Sequence, residues 1–559
     1  MLHCLSRVLL LIALLAQALL AQAQAPADLG PRIEAVLAAR VPAGGPGVAV
    51  LVARGDTLLW RGARGRASIE LDVPLSPEQV FRIGSISKQF AAAALLQRVE
   101  QGRARLDDPL AKYLPDYPGA ASITLAQLLN HTAGVKNYTD LPGYMAEPIR
   151  RDLDTAALVK VFKDQAPDFA PGTAWSYSNS GYVLVGAVLE AIDRRPWYAS
   201  VAAMLEPLGI RRTTWGDDRA VVPGMAAGYS TAPDGQVTRA ALLSMTQPHA
   251  AGALLSTVDD LWRWNRALHG GRVLGPETYR RMTTPEGEAA GKARYGFGIA
   301  TGTLRGEPLL QHGGGINGFL SMLCWLAQSQ RTVVVLRNSD GPGLDTGALA
   351  RQIAALALGK PYPDGPTLAL APAELSALAG RWRKQGAGDE RVLRVADGVL
   401  TSQRDGGPVF KLRPVARGVF LFEGSLGRIE SSVEAGTEAG ATAATLRFFP
   451  DGEGEGELWQ RVGEVPAARA EITLGDAQRQ ALLGEYSSPQ FSYKVFVDAQ
   501  GVLRGQAPGQ PALQLFAQSP RQLYVKEVGA SFEFEPAEGP AERMVLTQGR
   551  TRLLLPRKP

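Results

Sequence analysis

Ser85-Ile86-Ser87-Lys88 is a place in the 559-residue chain where residue type and spacing could do chemistry. Three residues is close to one helical turn, so Lys88 returns beneath Ser85 on the same face. A lysine desolvated among apolar neighbours binds its proton weakly and can accept or relay the serine proton. The N-terminus of a helix also aims backbone N–H groups at developing negative charge. The bland alternative is a serine that caps a helix with a solvated lysine behind it. A Ser-x-x-Lys arises by chance on the order of once in a chain this long, so its surroundings decide. Other chemistries find no foothold. The five histidines are dispersed without a His-x-x-x-His, and Cys4 and Cys324 are far apart. No metal site and no cofactor are therefore expected, and no glycine loop precedes a helix to cradle a phosphate.

The elements that must hold the pair can be read from periodicity. Ser85 to Glu100 carries Phe90, Ala91 to Ala94, Leu95, Leu96 and Val99, a pattern that predicts a buried helix closed by Gly102. Val48 to Arg54 and Thr57 to Gly62 predict a hairpin about Gly55-Asp56. Tyr182 to Ile192 and Asp259 to Leu268 read as helices, and Phe319 to Leu326 and Thr332 to Asn338 as neighbouring strands. Residues 24–359 are expected to form one α/β domain. Pro361, Pro363, Gly365, Pro366 and Pro372 then break regular structure, so 360–372 reads as a linker. Beyond it, short alternating runs between Gly, Pro and Asp predict antiparallel β-barrels, over 373–465 and 470–559. The tail repeats itself. Leu378-Ala379-Gly380-Arg381-Trp382 answers to Leu483-Gly484-Glu485-Tyr486, and Gly398-Val399-Leu400 to Gly501-Val502-Leu503. Between the copies, residues 436–445 are small and low in complexity.

Phe81-Arg82-Ile83-Gly84-Ser85-Ile86-Ser87-Lys88-Gln89-Phe90 resembles the nucleophile segment of class C serine β-lactamases and their penicillin-binding relatives. Tyr177-Ser178-Asn179 is similar to that family's Tyr-x-Asn motif. His312-Gly313-Gly314 is similar to its third motif, in the His-x-Gly form of esterase and aminopeptidase members. Leu128-Leu129-Asn130-His131-Thr132-Ala133-Gly134 and Ala251-Gly252-Ala253-Leu254-Leu255-Ser256-Thr257 match as well, so the resemblance runs over residues 40–340. It implies an acyl-enzyme on Ser85 with Lys88 and Tyr177 as its acid–base partners. A phenol beside an ammonium ionises more easily, which suits Tyr177 as base toward Ser85 and acid toward the leaving group. Asn179 is suited to holding either a substrate carbonyl or the lysine. The third motif implies a strand flanking the site, with Gly314 close to the substrate and the Gly315 N–H joining that of Ser85 in an oxyanion hole. His312 stands where penicillin-recognising members carry lysine. A mostly neutral imidazole hydrogen-bonds rather than neutralises a carboxylate, which disfavours β-lactamase or D-Ala carboxypeptidase activity. His131 is expected to fix a loop through side-chain hydrogen bonds.

The layout, a β-lactamase/transpeptidase-like domain followed by two lipocalin-like antiparallel β-barrel domains, is similar to D-aminopeptidases of peptidase family S12. In those enzymes a long loop from the last barrel brings an acid to the substrate's amino group. Here the matching hairpin, Tyr524 to Ala530, is short, with Glu527 the only acid at its tip. Arg7 ahead of an apolar run from Val8 to Ala21, then Ala21-Gln22-Ala23, reads as a signal peptide over 1–23 and predicts a periplasmic or secreted protein. With 45 % hydrophobic and 20 % charged residues and a net charge of +5 carried by scattered arginines, the chain lacks a nucleic-acid footprint. The expected partner is a small-molecule or peptide substrate, peptidoglycan-derived peptides included. The expected activity is hydrolysis of small esters, amides or D-amino-acid peptides. A D-aminopeptidase proper, a β-lactamase or D-Ala carboxypeptidase, and a non-catalytic envelope-binding protein are the other readings.

Overall fold

The computed structural model describes residues 28–558 except 233–234, 292, 405–406, 432–444, 468–470, 489–490, 499, 508–509, 511, 527 and 549–550. The signal-peptide reading of 1–23, nearly all of the low-complexity stretch and Glu527 lie outside the described residues. The chain divides into two units after Tyr362.

In the first unit, α1 (Leu29–Arg40) leads into the hairpin of β1 (Val48–Arg54) and β2 (Thr57–Arg64). A buried helix α2 (Ser87–Glu100) follows, preceded by a single 3₁₀ turn at Gly84–Ile86. Next come α3 (Asn179–Asp193) and α4 (Val258–His269). Strands β3 (Ala300–Leu304), β4 (Glu307–Ile316), β5 (Phe319–Leu326) and β6 (Arg331–Arg337) and helix α5 (Thr346–Ala357) complete the unit. The six strands form one antiparallel sheet in the order β3-β4-β5-β6-β1-β2. The first hairpin is thus laid against the last strand, Val48 opposite Arg337 and Arg54 opposite Arg331.

β1 is buried on both faces, as its unbroken apolar run demands. Ala49, Leu51 and Ala53 join the core that holds α2, while α5 packs on β5 and β6. Helix α2 is apolar nearly all round and is enclosed accordingly; Phe90 stacks on Trp264 of α4 with ring centroids 4.2 Å apart. Its far end is tied to α3 by a buried ion pair, Arg98 Nη2 to Asp193 Oδ2 at 2.5 Å. Burial pushes the Asp193 carboxyl up, but Arg98, Ser200 and Arg103 together hold it down at about 2. Leu106-Asp107-Asp108-Pro109 is a structural turn: Asp108 accepts from the Arg105 N–H, Lys112 and Tyr113.

The second unit opens with 363–371, free of helix and strand, along which Leu368 donates to Pro414 and Arg413 donates to Asp364. Eight strands follow: β7 (Gly380–Lys384), β8 (Glu390–Ala396), β9 (Val399–Arg404), β10 (Val409–Ala416), β11 (Val419–Phe422), β12 (Arg428–Ser431), β13 (Thr445–Phe449) and β14 (Glu457–Gly463). They close into an antiparallel barrel when β14 pairs with β7. Its interior is filled by Trp382, Leu393, Leu400, Phe420 and Trp459. The remaining strands form a four-stranded sheet over 484–514 and a five-stranded sheet over 516–556 around a shared core, linked by a Tyr486–Arg557 bridge. The ladder breaks at Leu515, whose N–H turns to Leu503 instead. The two repeats are built alike. A short helix, Pro372–Ser376 or Asp476–Leu482, precedes a strand whose buried aromatic donates back to the helix end, Trp382 to Leu378 and Tyr486 to Leu482. No helix among the described residues is long and apolar enough to cross a membrane.

Candidate active site

Ser85 sits half-buried in the 3₁₀ turn, and Lys88 one turn later is fully buried. Lys88 Nζ lies 3.1 Å from Ser85 Oγ, 2.8 Å from Asn179 Oδ1 and 2.8 Å from the Ala251 carbonyl. Burial strips water from the ammonium and holds its pKa well below the usual lysine range. Two of its three neighbours only accept, whereas Ser85 can donate. A neutral amine fits that set: two N–H groups to Asn179 and Ala251, and a lone pair toward the Ser85 hydroxyl. The faces of Tyr177 and Tyr182, with centroids 4.7 and 5.4 Å from Nζ, favour the ammonium once it forms.

Tyr177 also reaches Ser85 through its hydroxyl. Burial pushes the phenol far above its ordinary value, and the hydrogen bond to Ser85 recovers only part of that shift. The expectation of a readily ionised Tyr177 is therefore reversed. The same dry interior that disfavours the Lys88 ammonium disfavours the phenolate, so the neutral form of each is favoured.

The Tyr177-Ser178-Asn179 segment is positioned by capping. Ser178 caps α3, its Oγ accepting from Gly181 and donating to the Val135 carbonyl. The Ser178 N–H donates to His131 Nδ1 at 3.2 Å, and the His131 ring packs on Tyr177 with centroids 4.3 Å apart. His131 thus anchors the segment, in line with the loop-fixing role expected of it. Asn179 gives Oδ1 to Lys88 and donates through Nδ2 to Thr139. Of the two uses its amide allows, the structure shows the lysine.

β4 brings the third motif alongside. Gly84, at φ +51°, lies against Gly315, whose N would be 2.9 Å from a Cβ at residue 84. A Cβ on Gly314 would stand 2.0 Å from the Ile83 carbonyl oxygen and 2.4 Å from Ser321 Oγ. Gly314 therefore lets the strand approach the nucleophile turn, rather than facing a substrate. Ser85 and Gly315 both line a cleft of about 400 Å³, with Asn179, Ile149, Leu243, Ile316 and Asp340 among its walls.

His312 departs from its expected place on the substrate. It is buried and is not among the cleft-lining residues. Its Nδ1 donates to the Gly313 carbonyl at 2.6 Å, and its Nε2 accepts from the Tyr295 hydroxyl at 2.7 Å. Burial first, then the Lys88 charge, lowers its pKa to about 4, so the ring is neutral as expected. The Ala251 carbonyl as a partner of Lys88, Tyr295 as a partner of His312, and Asp340 were not legible in the sequence. Ala251 falls in a segment that carries the resemblance, but a backbone acceptor leaves no mark in residue type. Among the described residues, no group of three or more His, Cys, Asp or Glu side chains is placed to hold a metal ion.

Residues 33–358 match the Beta-lactamase family. The chain is 30 % identical over 339 residues to a D-aminopeptidase of Gluconobacter oxydans, covering 59 % of this chain and 62 % of that protein. It thus spans about three fifths of the length of that relative. The structure of a D-stereospecific amidohydrolase from Streptomyces sp. aligns with a TM-score of 0.51 and 31 % identity, over 58 % of this chain and 97 % of the other. A penicillin-binding protein homologue from Pyrococcus abyssi, 21 % identical, shares the fold with a TM-score of 0.55 over 77 % of this chain and 99 % of the other.

Proposed function

The chain belongs to the Beta-lactamase family, and from that premise we propose that it is a serine hydrolase working through an acyl-enzyme on Ser85, with small esters, amides or D-amino-acid peptides as substrates. The observation that carries this reading is the contact set of Lys88, which holds a buried amine 3.1 Å from the serine oxygen between two pure acceptors. Lys88 removes the Ser85 proton as Oγ bonds to the substrate carbonyl carbon, and the resulting oxyanion faces the N–H groups of Ser85 and Gly315. Tyr177, kept as a phenol, gives its proton to the departing nitrogen or oxygen and is reprotonated from the Lys88 ammonium. Water then repeats the sequence on the acyl-enzyme, with the serine oxygen as the leaving group. The relatives named as a D-aminopeptidase and a D-stereospecific amidohydrolase support D-aminoacyl amides within the substrate range. Residues 1–23 support export to the periplasm or beyond.

The test is covalent labelling with a fluorophosphonate, followed by peptide mapping. Label is expected on Ser85 alone and not on Ser85→Ala, and that variant is expected to lose hydrolysis of D-aminoacyl amides and short-chain esters together. A folded Ser85→Ala that keeps near-normal turnover overturns the mechanism.

A further inference from the structure

The walls of the cleft hold one charge. Of the residues that line it, Asp340 alone is ionisable as an acid or base at neutral pH, and its neighbours there include Ile149, Leu243, Ile316 and Leu320. Asp340 follows the end of β6, and its Oδ2 accepts from the Gly318 N–H at 2.7 Å in the turn between β4 and β5. That bond fixes the carboxylate at the cleft wall and uses one oxygen. Arg337 stands near enough to feel the charge but gives its Nη1 to the carbonyls of Gly341 and Leu344. No described lysine or arginine forms an ion pair with Asp340, and the carboxylate is exposed. Ser85 and Gly315, on which the acyl carbonyl is held in the serine-hydrolase reading, line the same cleft as Asp340, so the acyl half of the substrate comes within it. A carboxylate set into an otherwise neutral, largely apolar wall favours a cation and repels an anion.

We propose that Asp340 anchors a protonated amino group on the acyl half of the substrate, making the enzyme selective for aminoacyl amides with a free amine over their N-acylated counterparts. This rests on the serine-hydrolase reading above. The anchor lies within the catalytic unit and does not involve Glu527.

The test compares kcat/KM for D-alanine p-nitroanilide and N-acetyl-D-alanine p-nitroanilide, with p-nitrophenyl butyrate reporting the serine chemistry. Wild type is expected to prefer the free amine by about ten-fold or more, the usual worth of a charge-assisted hydrogen bond. Asp340→Asn keeps an acceptor for Gly318 and is expected to cut that preference ratio about ten-fold. A preference ratio unchanged in Asp340→Asn, including an equal fall on both anilides, overturns the anchor while Ser85-dependent ester hydrolysis leaves the parent reading standing. In wild type alone, benzylamine is expected to inhibit ester hydrolysis more strongly than benzyl alcohol, and equal inhibition counts against the anchor. Loss of ester turnover and of fluorophosphonate labelling in wild type overturns both readings.

Discussion

Because burial weakens the hold of Lys88 on its proton, the fraction of enzyme with a neutral amine facing Ser85 rises with pH. The active form is the deprotonated one, so kcat/KM for an uncharged ester is expected to fall as pH drops through the lowered lysine pKa. A pH–rate profile that rises toward acid contradicts this assignment. Lys88→Ala and Tyr177→Phe are each expected to cost at least about 10²-fold in turnover, the ordinary worth of a positioned base or acid. His312 carries a separate pH signature, written in stability. Its pKa is about 4 in the folded protein, against 6.5 when exposed. Between these values the unfolded chain binds the extra proton, so the stability it contributes is present above about 6.5 and is lost as pH falls toward about 4. The full loss is roughly 3 kcal/mol, from the free-energy equivalent of a pKa unit. His269, lowered by burial to about 3, adds in the same direction. Melting temperatures at pH 7 and pH 4.5 should therefore differ, and His312→Gln is expected to narrow the gap. An unchanged gap removes His312 from the account.

Strand β4 and the turn before α2 meet with no room to spare, which makes Gly314 a test of element packing. Alanine there sets a carbon 2.0 Å from the Ile83 carbonyl, so backbone must move and the oxyanion wall moves with it. Gly314→Ala is expected to cost about 1–3 kcal/mol of stability, the range for overpacking, and at least about ten-fold in activity. Gly302→Ala on β3, with no atom within 4 Å, is expected to do neither. Denaturant midpoints and ester turnover on both variants check the contrast. These contacts also mark how far the sequence could be read. Ser85, Lys88 and Asn179 were legible because their roles are carried by side chains at fixed spacing, and α2 because its apolar run is continuous. The partnership of His312 with Tyr295 was not, because two segments 17 residues apart meet only through the fold of the sheet. Tyr177 was legible as a residue but its proton affinity was not, since burial raises it, the Ser85 hydrogen bond lowers it, and spacing does not weigh the two. Nor did alternation show that the pairing in the last β-region breaks at Leu515.

The division after Tyr362 leaves the second unit with its own cores, one inside a closed barrel around Trp382 and Trp459 and one shared by two sheets. Residues 363–559 are expected to fold when expressed alone, with a β-type circular dichroism spectrum and no hydrolysis of the substrates above. A random-coil or cooperative helical spectrum contradicts the division. In the first unit, the seating of β1 against β6 has a consequence for how the protein comes into being. Val48 finds its partner only when Arg337 exists, and Lys88 is dried only when Asn179 and Ala251 have arrived. On a ribosome, Ser85 spends its early life as an ordinary alcohol beside an ordinary charged lysine. The site is thus assembled late, only after the chain has been made through Ala251. A chain stopped short of Ala251 is therefore expected to carry no acylating power, because the acceptor that helps to dry Lys88 has not yet been made.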